Sequence, residues 1–110
     1  MKLYEVMRTP DGDVMAFVDG EPLHHVVAHS PDGFELGRGG GADDLALSIL
    51  ADHFGERPSV EQILQGECRC LPYHQDFKWA VITPATAKLG FHITSDQIEA
   101  WLGEQQQYRE

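Results

Sequence analysis

Positive charge, cysteine and long apolar runs are what this 110-residue sequence has least of. It carries 8 Lys and Arg against 18 Asp and Glu, a formal charge of -10. A surface of that sign repels phosphate backbones, so direct nucleic-acid binding is disfavoured and a basic protein partner is favoured. No apolar run approaches the roughly 18 residues that cross a bilayer, which excludes a transmembrane helix. The opening Met1-Lys2-Leu3-Tyr4-Glu5 has neither a basic leader nor an apolar signal segment, so a cytoplasmic location is expected. The 2 cysteines, Cys68 and Cys70, lie too close together for a secreted disulfide framework, and reduced thiols are expected.

Catalytic signatures are missing as well. There is no G-x-S-x-G elbow, no H-E-x-x-H pair and no H-x-E with a C-x-x-C. Gly37-Arg38-Gly39-Gly40-Gly41-Ala42 satisfies G-x-G-x-x-A, but Asp43 and Asp44 occupy the very turn that would hold a phosphate. No Lys-Ser/Thr follows, so the glycines read as a tight elbow packed on a sheet, with Arg38 paired to a nearby carboxylate. Ser30 beside His29, or a cysteine with a histidine, would supply a nucleophile and a base. A chain this small seldom builds a deep cleft, and His29 reads instead as the fastener of a turn. Cys68-x-Cys70-x3-His74 offers two thiolates and an imidazole to zinc, with His24, His25, His29, His53 or His92 as a distant fourth ligand. Zinc sites usually space their cysteines more widely, so these thiols are expected to be metal-free. No catalytic residue, metal ligand or cofactor is assigned.

What is present is the patterning of a single α+β domain with a small antiparallel sheet. Lys2–Arg8 reads as a strand, Pro10-Asp11-Gly12 as a turn, and Asp13–Val18 as a second strand. Asp19-Gly20 makes a hairpin turn, and Leu23–Ala28 is expected to return as a third strand, beginning after Pro22 or lying at an edge. Phe34-Glu35-Leu36 is a short extended piece. The spacing of Leu45, Ile49 and Leu50, with Ala46 and Phe54, predicts a helix over 42–54 whose one stripe packs on the sheet and which Gly55 terminates. Ser59-Val60-Glu61-Gln62 matches a capping box for a two-turn helix closed by Gly66. Residues 73–83 fit both a helical face and a strand alternation, and helix is the choice made here. Phe91-His92-Ile93 is extended, and Thr94-Ser95-Asp96-Gln97 opens a helix that buries Ile98, Trp101 and Leu102 and ends at Gly103, beyond which the tail frays.

The acidic excess is uneven: residues 1–55 carry three basic and ten acidic groups, residues 56–110 five and eight. Asp11, Asp13, Asp19 and Glu21 fall in turns, and Asp43 and Asp44 in a first helical turn, making these six the expected partner-binding set.

Several stretches together resemble an uncharacterised family of small bacterial and bacteriophage proteins, a domain of unknown function. They are His29-Ser30-Pro31-x-Gly33-Phe34-Glu35-x-Gly37, Asp44-Leu45-Ala46-Leu47-x-Ile49-Leu50, Phe77-Lys78, and Ile93-Thr94 followed by Ile98 and Trp101-Leu102. The resemblance implies no activity, only a phage or mobile-element context. With the charge, it leads to the expectation of a non-enzymatic interaction protein that inhibits a basic nucleic-acid-binding host factor by presenting carboxylates where phosphates would sit. The alternative is a small accessory enzyme or zinc-binding domain using Cys68, Cys70 and His74.

Overall fold

Alternation along the first strand puts Tyr4 and Val6 on one side and Leu3, Glu5 and Met7 on the other. The computed structural model, which describes residues 1–30, 33–37, 39–85 and 88–109, covers only the first of these sides. Strand β1 (Leu3–Arg8) runs through an antiparallel sheet with β2 (Val14–Val18), β3 (Glu21–Pro22) and β4 (Gly90–Thr94), in the order β3-β2-β1-β4. Tyr4 faces Val18 and Ile93 across the ladders, and Val6 faces Ala16 and Phe91; these rows point into the core. Glu5 faces Phe17 and His92, and Met7 faces Met15 and Gly90; these rows point outward. A Cβ at Gly90 would collide with the Val6 carbonyl oxygen, so glycine is what lets β4 begin this close to β1.

Helix α1 (Gly40–Phe54) begins two residues before the expected start and ends at Gly55, whose φ of 71° gives the left-handed cap. Leu45, Ile49 and Leu50 are buried, as their spacing predicted. The single apolar stripe is corrected, however, because Asp44, Leu47, Ser48 and Ala51 are buried too. α1 is enclosed nearly all round: Tyr4 of the sheet donates from its hydroxyl to Asp52 Oδ2 at 2.6 Å, and α3 (Leu71–Phe77) lies against the helix from another side. Before α3, the capping box forms as read, with Ser59 and Gln62 bonding reciprocally ahead of α2 (Val60–Leu64). Residues 73–83 are helical, but α3 passes into a π-helical turn at Lys78–Ile82 and a 3-10 turn at Thr83–Ala85.

Five further expectations are corrected. Leu23–Ala28 forms no strand; β3 stops at Pro22 and the chain leaves the sheet to run along α1. Leu23 N–H still bonds to the Ala16 carbonyl oxygen of β2 at 2.9 Å, but farther on side chains replace the ladder, Val26 N–H bonding to Ser48 Oγ at 2.8 Å and the N–H groups of 28–30 to Asp44. The fourth strand comes from the far end of the sequence, β4, which the sequence placed as an isolated extended piece. Gly103 does not end the last helix: α4 (Ser95–Arg109) runs straight through it, opened by a box in which Thr94 and Gln97 exchange bonds. Trp101 is only partly buried, edge-on to Phe77 with centroids 5.2 Å apart. The glycine elbow packs on His29, Gly33 and Glu35 rather than on the sheet, since a Cβ at Gly41 would stand 2.8 Å from the Gly33 carbonyl oxygen. Arg38 lies outside the described residues.

Candidate functional site

Two groups of side chains carry chemistry, one on the outer face of the sheet and one beneath the glycine elbow. The outer face is built by the period-2 alternation of β1 and β2. Met7 and Met15 stand opposite each other and are 45% and 46% exposed, beside a row formed by Phe17, Glu5 and His92. Exposed carboxylates lie beyond both ends of β2: Asp11 and Asp13 in the turn that precedes it, Asp19 in the turn that follows and Glu21 at the start of β3. Asp13 and Asp19 are six residues apart along an extended strand, about 20 Å at about 3.3 Å per residue. That exceeds the screening length of about 8 Å, so the two ends act as separate charge clusters. Asp19 also has a structural task. It holds a φ of 50°, and its Oδ1 accepts the Leu3 N–H at 2.9 Å.

Asp43 and Asp44 do not belong to this surface, which corrects their place in the expected set. Asp44 is fully buried, and its carboxylate accepts the backbone N–H groups of Ala28, His29 and Ser30 at 2.9–3.2 Å while facing His25 Nε2 at 2.9 Å. Asp43 stands 2.6 Å from the Nζ of Lys78, a buried lysine on the first residue of the π-helical turn that also lies over the Trp79 ring. Asp44 is closed to a phosphate or a partner, and Asp43 is partly buried beside Lys78. Sequence reasoning missed this knot, although Asp44 and Ser48 sit four apart in an otherwise apolar block. That spacing puts two polar groups on one helical face, which something must satisfy when the face is buried.

The histidines divide similarly. His29 is exposed, and its Nε2 lies 3.2 Å from the Nε2 of buried His74, the rings stacked at 17°. A carbonyl can only accept, so the 2.6 Å contact of His74 Nδ1 with the Leu71 oxygen fixes the proton on Nδ1 and leaves Nε2 as a bare acceptor. Burial, above all, lowers the His74 pKa, and the neighbouring His29 adds to the effect. Both ring nitrogens of His74 are thereby committed away from the thiols. Among the described residues, no three His, Cys, Asp or Glu side chains gather to hold a metal ion, so the Cys68-Cys70-His74 grouping is not formed. Both thiols are buried. Burial first, then a hydrogen bond with Cys68, pushes the Cys70 thiol far above its ordinary value, which disfavours the nucleophilic thiolate.

Among the described residues no helix is long and apolar enough to cross a membrane. In comparisons with known proteins, residues 4–104 match a family of unknown function, DUF6166. No curated protein and no solved structure matches the chain.

Proposed function

This chain belongs to the DUF6166 family, and we propose that within that family of unknown function it serves as a small acidic docking protein. Its binding face is the outer side of the sheet, with Met7, Met15 and Phe17 at the centre and Asp11, Asp13 and Glu21 at the rim. One observation carries this reading: the methionine pair is uncovered and lies between two carboxylate-bearing turns. An apolar centre supplies affinity, while charged turns supply steering toward a basic surface. The finer form of the proposal has this protein occupy a phosphate-binding surface of a nucleic-acid-binding host factor, in a phage or mobile-element setting. The -10 charge and the sequence resemblance support it.

The test is capture of partners from bacterial lysate by immobilised chain at low and high salt. The comparison is a variant carrying Asp11→Lys, Asp13→Lys and Glu21→Lys; Asp19 is left intact because it holds β1. Basic proteins retained at low salt by the parent and lost with the triple reversal support docking. A partner held equally by both proteins at both salts overturns it, leaving the charge as a solvated surface.

A further inference from the structure

His29 and His74 are 45 residues apart in sequence and meet nitrogen to nitrogen, each held from behind. The His29 backbone N–H is tied to Asp44 Oδ1, within a loop whose three successive N–H groups all end on that buried carboxylate. His74 is held through Nδ1 by the Leu71 carbonyl. A backbone carbonyl on the far ring nitrogen is what orients a ligating imidazole, because it fixes the tautomer and aims the lone pair. Two imidazole nitrogens bound at about 2.0–2.1 Å to one tetrahedral ion stand about 3.3 Å apart. The observed 3.2 Å matches that spacing, while ring centroids 5.4 Å apart show the two nitrogens aimed nearly at each other, so both rings tilt for their lone pairs to converge on one ion. The Gln75 side-chain Nε2 lies 3.3 Å from the same His74 nitrogen, to which it donates; a half-turn of that amide presents its oxygen, an acceptor suited to a cation, at the same spot. His29 is exposed, so an ion has access from solvent.

We propose that His29 and His74 form an open two-imidazole site for a divalent transition-metal ion of the zinc and nickel type, with the Gln75 amide and solvent completing its shell. Two imidazoles are fewer side-chain ligands than a closed structural site has, which makes this an exchangeable site rather than one the fold requires. Imidazole ligands suit zinc and nickel and leave calcium and magnesium unfavoured. Bound metal would clip the 23–30 loop to α3, reinforcing the contact that the two imidazoles already make.

The experiment is calorimetric titration of the chelator-treated full chain with zinc chloride and, separately, nickel chloride, alongside His29→Gln and the Cys68→Ser, Cys70→Ser double variant. His29 is the primary target because it is exposed and its replacement leaves the core untouched. Saturable binding of one equivalent is expected, weakened about tenfold or more in His29→Gln and unchanged in the double serine variant. Zinc is also expected to raise the Tm of the parent protein and to leave that of His29→Gln where it was. An absence of saturable binding to the parent would show that the pair is a simple imidazole hydrogen bond and overturn the site. Undiminished binding in His29→Gln, or binding lost only with the cysteines, overturns it as well.

Discussion

Asp44 Oδ2 and His25 Nε2 lie 2.9 Å apart, and the same carboxylate takes three backbone N–H groups from residues 28–30. A first-turn residue of α1 therefore fixes a loop that precedes it by some fifteen residues. The carboxylate does for this loop what a neighbouring strand would have done, satisfying donors that are costly to leave bare.

Replacing Asp44 by alanine would strand those donors and leave His25 without its partner. The expected cost is about 2–4 kcal/mol in urea denaturation, against about 0.5 kcal/mol or less for Asp11→Ala in its exposed turn. Equal costs at the two positions would show that the knot does not hold the loop.

The pH dependence follows from His74, whose folded pKa is lowered below the ordinary 6.5, first by burial. The unfolded chain then binds the proton more readily than the folded one, so this group's contribution is intact above about pH 6.5 and is lost as the pH falls below it. The groups facing the ring are His29, Gln75, Asp43, Asp44 and the Leu71 carbonyl; the two carboxylates and the carbonyl favour the proton but are outweighed by burial. Thermal melts between pH 7.5 and 5.5 are expected to show falling Tm, with a shallower fall in His74→Gln. Parallel slopes in the two proteins would place the acid sensitivity elsewhere.

Two helical glycines should respond oppositely to alanine. Glycine in a helix costs about 1 kcal/mol relative to alanine, so Gly103→Ala, whose Cβ meets nothing within 4 Å, is expected to gain about 0.5–1 kcal/mol. At Gly41 the added methyl would stand 2.8 Å from the Gly33 oxygen and 2.9 Å from the Glu35 nitrogen, both backbone atoms that cannot easily move. Crowding of about 1–3 kcal/mol then outweighs the propensity gain, and a net loss is expected in chemical denaturation. A stabilised Gly41→Ala would show that the elbow has slack.

Local rules fixed much of this molecule in advance. Helix α1, the turn at Asp19-Gly20, and the capping boxes at Ser59 and Thr94 follow from contacts within three or four residues, and each forms where its residues call for it. The buried Leu45, Ile49 and Leu50 follow from helical period alone. The acidic character of the Asp11 and Asp13 turn and of Glu21 is likewise written in composition and turn chemistry.

Tertiary structure decided the rest, where a group's partner is remote in sequence. Whether Leu23–Ala28 joined the sheet depended on which acceptors its N–H groups would meet, and Ser48 and Asp44 on α1 supplied them. β4 lay out of view because its hydrogen bonds go to β1, nearly ninety residues away. Asp43 and Asp44 looked like surface carboxylates because two adjacent acids at a helix start usually are; only the arrival of Lys78 and of the 28–30 loop turned them inward. His74 stood beside two cysteines in sequence, yet its Nε2 meets His29, which the loop fastened to Asp44 brings to it. Sequence determines what is satisfied by neighbours along the chain, and only packing decides which distant donor meets which acceptor.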